Sequence, residues 1–576
     1  YSTNYASKAP VARPDFVTDG YLWSKMFAEA FVNGDGSFPQ NINKTQKFSQ
    51  AYLNEFKRRS ESGAPYNQVE IDPVTGEYTY YGSTDFYKEL YKKSNAAIEH
   101  NLSVSGSGEK TSFLVSGRVQ KQDGLFRYNS DDYDMKNFRA RGTVQIFPWL
   151  KIDNNADFSV MSYFNPMNVG EGGGIWRNIG DEGHPGSVMF NPDGTLSFSA
   201  AYTVGDFWYG KNGIATSRQV FRNTTGFTSN FFSNKLHVNG DFTFRNTNNN
   251  TEQTRVQVPY SSSLGVINYV GTTTNDLGID RRETQYLANN LVADYEDKFN
   301  DKHYVKFMVG YNYEQSKYKR LAAQRNGLIF VDANDLNLAL GQAITTGGGY
   351  EMWASFGGFS RLNYSFKDRY LVEINGRYDG SSKFPSNQRF GFFPSFSAGW
   401  RVSKESFWKV KPSIISDLKI RASYGSLGNG NINSYAFLEN FGISQSALIL
   451  GGVRPQRTSQ PAVLPNGITW ETSTTTNLGI DISMLSDKLT FTGDAYVRNT
   501  TDMFTVGLTA PAVFGATVPK GNYADLETRG WELTLNWKDK FNIKSKPFSY
   551  GIRPVSYTHL RAHETGRNLV CRLLLE

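Results

Sequence analysis

A chain of 576 residues that is 39% hydrophobic and 15% aromatic, with 54 glycines against 20 prolines, is rich in the residues of pleated strands and tight turns. It has no run of about 18 apolar residues, which excludes a transmembrane helix but not a membrane-crossing strand, because a strand needs only alternate residues apolar. The net charge of +7 is dispersed over 61 basic and 54 acidic residues, so no nucleic-acid partner is expected, and a single cysteine, Cys571, excludes a disulfide framework.

Residues 1–100 read as a leading segment that holds irregular structure and the first strands and loops. Helical spacing covers residues 21–31 (YLWSKMFAEAF), 43–59 and 85–94 (DFYKELYKKS). From Ile98 the period becomes two. Residues 111–120 place Phe113, Val115, Gly117 and Val119 on one face and Leu114, Ser116, Arg118 and Gln120 on the other. The pattern is clearest over residues 137–160. Phe138, Ala140, Gly142, Val144 and Ile146 alternate with polar residues, Pro148-Trp149 interrupts, and Ile152, Ala156, Phe158 and Val160 resume. Two such runs joined by a two-residue turn predict a hairpin.

Further alternating runs cover residues 235–245, 287–295, 303–313, 356–366, 370–378, 392–402, 418–424, 478–484, 489–497, 531–537 and 548–552, about sixteen strands in all. Short connections, such as Pro148-Trp149, Ser233-Asn234 and residues 367–369 and 486–488, alternate with long polar ones. The long ones are residues 161–221, 246–283, 314–353, 425–475 and 499–527. Strict alternation of short turns with long loops is a property of outer-membrane barrels. Trp149, Phe299, Phe366, Tyr370 and Trp537 adjoin short turns, where an interfacial girdle belongs.

Residues 555–576 have no two-residue period, and residues 555–565 look like a translated sequencing-library adapter. They are set aside as a non-native tail, with His559, His563 and Cys571 in it, leaving residues 101–554 as a partial barrel domain.

Four stretches carry a family resemblance: residues 378–400 (YDGSSKFPSNQRFGFFPSFSAGW), 418–431 (LKIRASYGSLGNGN), 470–481 (WETSTTTNLGID) and 522–533 (NYADLETRGWEL). Their words and order resemble the SusC/RagA-type TonB-dependent outer-membrane transporters. The fold class expected is therefore all-β, a large antiparallel transmembrane β-barrel, 22-stranded in the family. The resemblance implies TonB-dependent active import of a glycan, or an oligopeptide, with a SusD-like lipoprotein as lid, the TonB complex as energy source and outer-membrane lipid as surroundings. It also implies that the plug, the TonB-contacting box and about six closing strands lie outside these residues. A passive porin and a surface β-rich glycan-binding protein are the alternative readings.

No catalytic constellation stands out, so no enzyme activity is expected, and neither a metal nor a cofactor is assigned. Asp131, Asp132 and Asp134 lack the twelve-residue calcium-loop spacing. Residues 170–174 (GEGGG) and 425–430 lack the Gly-Lys-Ser/Thr phosphate cradle. His184 and His237 have no partner at ligand spacing. Recognition of sugars or peptides calls for aromatic faces beside polar groups, which singles out Trp176, Trp208, Tyr209, Trp353 and Trp470 in or near the long loops. Arg139, Arg141, Asp153, Asp157, Arg377, Asp379, Arg401, Arg421, Asp481 and Asp494 fall on the polar rows. If those rows line a lumen, these residues are expected to hold the plug by charged hydrogen bonds.

Overall fold

The computed structural model describes residues 1–10, 15–168, 175–271, 275–465, 467–543 and 546–561. Residues 170–174, His563 and Cys571 lie outside that set. Eighteen strands make one antiparallel sheet. In chain order they are β1 (Ser2–Lys8), β2 (Asn95–Ser107), β3 (Thr111–Asp123), β4 (Asp132–Phe147), β5 (Leu150–Pro166) and β6 (Gly213–Phe231). Next come β7 (Leu236–Arg255), β8 (Asp276–Phe299), β9 (His303–Asn326), β10 (Ile344–Phe366), β11 (Tyr370–Ser381) and β12 (Phe390–Arg401). The last are β13 (Ile415–Asn429), β14 (Glu471–Met484), β15 (Leu489–Val506), β16 (Lys520–Ile543), β17 (Lys546–Ile552) and β18 (Val555–Arg561).

Each strand from β1 to β16 pairs with the next in the chain, an up-and-down meander whose connections fall alternately at opposite ends. β17 and β18 share the far edge of β16. Among the described residues no register joins β1 to β17 or β18.

The predicted hairpin of residues 137–160 forms as β4 and β5, with Phe138 opposite Phe158 and Arg139 opposite Asp157. The strands are longer than the alternation implies: β8 and β9 each run for 24 residues, where about ten suffice to cross a bilayer. The apolar row stops where lipid stops, but backbone pairing does not, because a ladder in water needs no apolar face. Five connections expected to be long therefore shrink. The connection expected over residues 246–283, for example, is cut back to the stretch between Arg255 and Asp276, which itself holds a small hairpin of Val258–Ser263 with Val266–Val270.

Two strands exceed the sixteen that alternation predicts. β1 (STNYASK) has almost no apolar residues; it is held by its ladder to β2 and by the Tyr1 hydroxyl 2.8 Å from His100 Nδ1. β18 lies in the stretch set aside as a tail, and it too is added by backbone pairing to an open edge.

One end of the sheet has tight turns. Phe232-Ser233-Asn234, Lys367-Asp368 and Leu485-Ser486-Asp487 all adopt positive φ there, the left-handed conformation that two- to three-residue hairpin turns demand. Aromatic rings gather beside these turns: Phe147 stacks on Trp149 at 5.4 Å, Phe366 on Tyr370 at 6.4 Å, and Trp537 Nε1 donates to the Tyr550 hydroxyl. Between the ends, one face exposes Leu102, Phe113, Phe138, Phe242, Phe307, Phe392 and Leu478, with Phe392 at 64% of its full surface. A continuous apolar band of that size, with charged groups on the reverse face, is a lipid-facing surface.

At the opposite end the long connections fold into cores of their own. Residues 9–94, which sequence spacing left as an irregular leader, are a single connection between β1 and β2. Helix α1 (Gly20–Asp35) starts where Asp19 accepts from the Leu22 N–H and ends at Gly36 with φ +72°. Helix α2 (Gln50–Glu61) is capped by Ser49, so residues 43–49 of the predicted helix are loop. Of residues 85–94, only Phe86–Leu90 are helical.

Candidate binding surface at the loop end

The apolar stripes of α1 and α2 meet around Phe56, which is fully buried with Ala28, Phe48, Tyr52, Leu53 and Tyr81. Polar groups within this core bond one another, with Gln46 Oε1 left without a partner. The Tyr52 hydroxyl donates to the Tyr80 carbonyl at 2.7 Å, and Gln46 Nε2 donates to the Tyr52 hydroxyl at 2.9 Å. Burial pushes the Tyr52 phenol above its ordinary range.

Residues 78–84 then tie this core to the β5–β6 connection. Tyr80 donates to Asn191 Oδ1 and Tyr78 to Asp193 Oδ2, while Gly82 N–H and Thr84 N–H donate to the carbonyls of Gly186 and Pro185. Burial, with Asp193 as acceptor, raises the Tyr78 phenol to about 12. The two segments touch so closely that a Cβ on Gly82 would sit 2.3 Å from the Ser187 carbonyl oxygen, and one on Gly20 would sit 1.9 Å from that of Gly82. A second core joins Phe86 and Leu90 to Leu196, Phe198, Val204, Phe207 and Val258, and a third packs Val256 and Leu277 against Leu328 and Ala339. Four connections, after β1, β5, β7 and β9, are thus packed against one another.

A cavity of about 400 Å³ opens between α1 and the β5–β6 connection, lined by Phe16, Trp23, Phe27, Asp85, Tyr87 and His184. That is within the size of small-ligand clefts. Trp23 is sandwiched between Phe27 at 5.2 Å and His184 at 5.4 Å. His184 is buried, accepts from Asn43 Nδ2 at 3.3 Å through Nε2, and has no partner at Nδ1. Loss of water around the ring pushes its pKa down from 6.5 to about 3.

The unfolded chain takes up that proton near pH 6.5 and the folded chain only near 3, so stability is complete above about 6.5 and falls as acid is added. We expect the loop-end cores to lose about 2 kcal/mol between pH 7 and pH 5, from ~1.4 kcal/mol per pH unit. Melting followed by loop-end fluorescence checks this, and His184→Gln should flatten the pH dependence. An unchanged slope in the variant would locate the acid sensitivity elsewhere.

The aromatic residues selected from sequence are not gathered into one site. Trp208 is exposed and meets Phe190 edge-on at 5.3 Å, while Tyr209 packs between two of the loop cores. Trp353 stands opposite Ser316 on β9, with Lys383 Nζ 5.6 Å from its ring. Trp470, at the end of the β13–β14 connection, is engaged by the neighbouring β11–β12 connection and β12, 4.8 Å from Phe384 and 5.6 Å from Phe393, with Nε1 donating to the Arg389 carbonyl. Trp176 belongs to the helix Ile175–Asp181, and its side chain lies outside the described residues. Trp23 and the Tyr78–Tyr80 pair were passed over; the Trp and Phe residues at helical spacing in residues 21–31 were the available signal.

The charged residues do share one face, and most are paired along it. Arg139 donates to Asn155 at 2.8 Å, Arg141 is opposite Asn155, and the Asp153 carboxylate lies over Gly226. Asp157 bonds Arg222, and Arg377 bonds both Asp379 and Asn312. Arg401 bonds Asp368, and Arg421 bridges Asp481 at 2.9 Å and Asp494 at 2.7 Å. His237 pairs with Asp294 at 3.1 Å. Near the tight turns this face encloses a cavity of about 930 Å³, lined by Lys302, Lys367, Asp368, Glu373, Lys419 and Arg421 among others. Such a surface of alternating charges is suited to polar solutes and water, and among the described residues it presents no nucleophile beside a base.

Comparison with known proteins accords with this geometry. The chain is 26% identical over 571 residues to TonB-dependent receptor P26 of Formosa agariphila, an alignment that takes in 94% of this chain and 52% of the relative. It is 34% identical over 197 residues to TonB-dependent receptor SusC of Bacteroides thetaiotaomicron, 34% of this chain and 19% of that protein. The chain thus spans about half the length of the curated relative it matches most fully. A solved structure of the RagAB peptide transporter superposes with a TM-score of 0.70 at 18% identity, over 98% of this chain and 61% of that one, which is a likeness of fold. The family model described as "TonB dependent receptor-like, beta-barrel" matches residues 174–569, more than half the chain, and the protein belongs to that family of outer-membrane β-barrels.

Proposed function

We propose that the chain is the barrel part of an importer that draws a glycan, or an oligopeptide, across the outer membrane with energy from the TonB complex, under a SusD-like lipoprotein lid. The whole receptor binds and conducts; it is not an enzyme. The observation that carries this reading is the polar face, whose charged groups are held in fixed pairs beneath a loop end built of packed cores. A passive pore needs neither.

The lid reading rests on an apolar surface at the loop end. Residues 430–470 extend a two-stranded hairpin (Gly442–Gln445 with Gln456–Ser459) whose surroundings expose Phe441, Ile443, Leu448, Ile449 and Leu450, with Ile443 at 71%. Val513, in the connection after β15, is 94% exposed. Clustered apolar side chains on loops that face water call for a protein cover.

Replacing residues 442–459 by a short Gly-Ser turn in the complete receptor should therefore release the lid lipoprotein on purification. Growth on the cognate glycan should fall about tenfold or more, as loss of an apolar hot spot predicts, with the barrel still assembled. Retention of both lid and growth would overturn the docking assignment. Uptake that persists after the proton-motive force is collapsed would overturn active import itself.

A further inference from the structure

On the apolar face, strands β12 to β16 enclose a trough of about 600 Å³. Small side chains form its floor and tall ones its walls. In one row of cross-strand neighbours, Ala422 faces Leu478, Leu478 faces Ala495 and Ala495 faces Trp531. In the row nearer the loop end, Phe396 faces Tyr424, Tyr424 faces Thr476, Thr476 faces Val497 and Val497 faces Arg529. Phe396, Tyr424, Leu478 and Trp531 are all exposed, and Asp481, Asp494 and Arg421 point the other way, into their own ion pairs.

The second row marks a boundary. On the same face below it stand Ile480, Ile482, Phe491, Leu533 and Leu535; above it stand Ser426, Thr474, Asn499 and Glu527. Counting from Leu489 at the tight turn to Val497, with the rise of a strand and the tilt of a barrel, the row lies about 20 Å above the turn end. The apolar band of an outer-membrane barrel is about 25 Å tall, so the row lies toward its outer limit, close to the lipid headgroups.

Arg529 is the cation in this row, exposed, with Nε donating to Glu527 Oε1 at 2.8 Å. Among the described residues its hydrogen bonding is confined to Nε. A guanidinium directed at lipid costs several kcal/mol at mid-membrane but roughly 0–1 kcal/mol at the interface, where a phosphate offers it paired acceptors.

We propose that this trough is a binding site for a phosphorylated lipid of the outer leaflet, with an acyl chain lying over Ala422 and Ala495 between Tyr424 and Trp531 and the headgroup phosphate on Arg529. The height of Arg529 selects the outer leaflet, since an inner-leaflet headgroup lies at the tight-turn end. The hydroxyls of Thr474 and Thr476 and the amide of Asn499 flank the same spot and suit the remaining polar part of such a headgroup.

The test uses the complete receptor, delipidated in detergent and titrated with lipid A or with phosphatidylethanolamine under native mass spectrometry. Wild type should bind lipid A about tenfold more tightly than phosphatidylethanolamine. Ala495→Phe, which fills the floor, should weaken lipid A about tenfold, and Arg529→Gln should weaken lipid A several-fold and phosphatidylethanolamine, whose single phosphate is already offset by its own ammonium, by less. Heat-modifiable migration confirms that both variants keep the barrel, and Arg529→Gln, at the interface, leaves the packing intact if Ala495→Phe does not. Equal binding of the two lipids, or lipid A held as tightly by both variants as by wild type, would overturn the site. Neither result bears on import, which this experiment does not read.

Discussion

Phe56→Ala should cost the loop end about 4 kcal/mol, the typical loss for truncating a fully buried phenylalanine. Phe56 has no exposed surface, meets Tyr21, Tyr52 and Tyr81 edge-on, and sits against Gly20 at the point where three segments converge. Truncation opens a void between α1 and α2 that the rings cannot close, because each is held by its own contacts. Limited proteolysis of the receptor in detergent is the direct measurement. Residues 15–94 should be cleaved many-fold faster than in wild type, while the strand ladder, which does not include Phe56, should resist as before. Protection equal to wild type would mean that the loop cores are held by something other than this cluster. Gly82→Ala should act in the same direction for a different reason, since its Cβ would meet the Ser187 carbonyl oxygen at 2.3 Å and force the β1–β2 and β5–β6 connections apart.

Arg421→Met is the second change with a large expected effect. Arg421 reaches Asp481 on β14 and Asp494 on β15, so one guanidinium bridges two carboxylates on neighbouring strands and screens them from each other. Removing it leaves two like charges facing each other on a partly shielded wall. Breaking such a pair inside a protein costs about 3–5 kcal/mol; water on this face reduces that, and we expect about 2 kcal/mol. The measurement is the urea midpoint of barrel unfolding, and the pairing itself is checked by the triple variant with Asp481→Asn and Asp494→Asn. The triple variant should recover most of the loss. If it is no more stable than Arg421→Met alone, the arginine acts through packing rather than charge.

The membrane-crossing strands were legible because lipid imposes a rule that sequence displays. Phe138 to Ile146 and Leu478 to Ile482 must be apolar at every second position, and Pro148-Trp149 must break the run. Where water replaces lipid the rule lapses. Nothing in STNYASK announces a strand, and nothing in residues 246–255 or 276–283 says that β7 and β8 continue upward, because backbone pairing there is indifferent to side chains. Residues 9–94 misled for the opposite reason. Their helices were located from spacing, with the second and third shorter than the spacing implied, but their place between two neighbouring strands depends on β1, a strand without an apolar pattern. The charged rows were placed on the right face by period alone, yet their lateral partners were not legible, since Arg421 and Asp494 are 73 residues apart in the chain. Trp470 shows the limit for recognition: an aromatic in a loop is chosen equally well by a ligand and by its own neighbours, and here Phe384 and Phe393 have it.

Residues 78–84 and 185–191 hydrogen-bond each other while belonging to connections four strands apart in the meander. For the history of such receptors this carries a constraint. Surface loops ordinarily diversify one at a time, under pressure from new nutrients, phages or antibodies. These two cannot: a homologue's version of one, brought in by recombination without its counterpart, would bring side chains to positions where Gly20 and Gly82 leave no room. Inheritance should favour their exchange as a matched set, and chimeras made in the laboratory should succeed only when both are transplanted together.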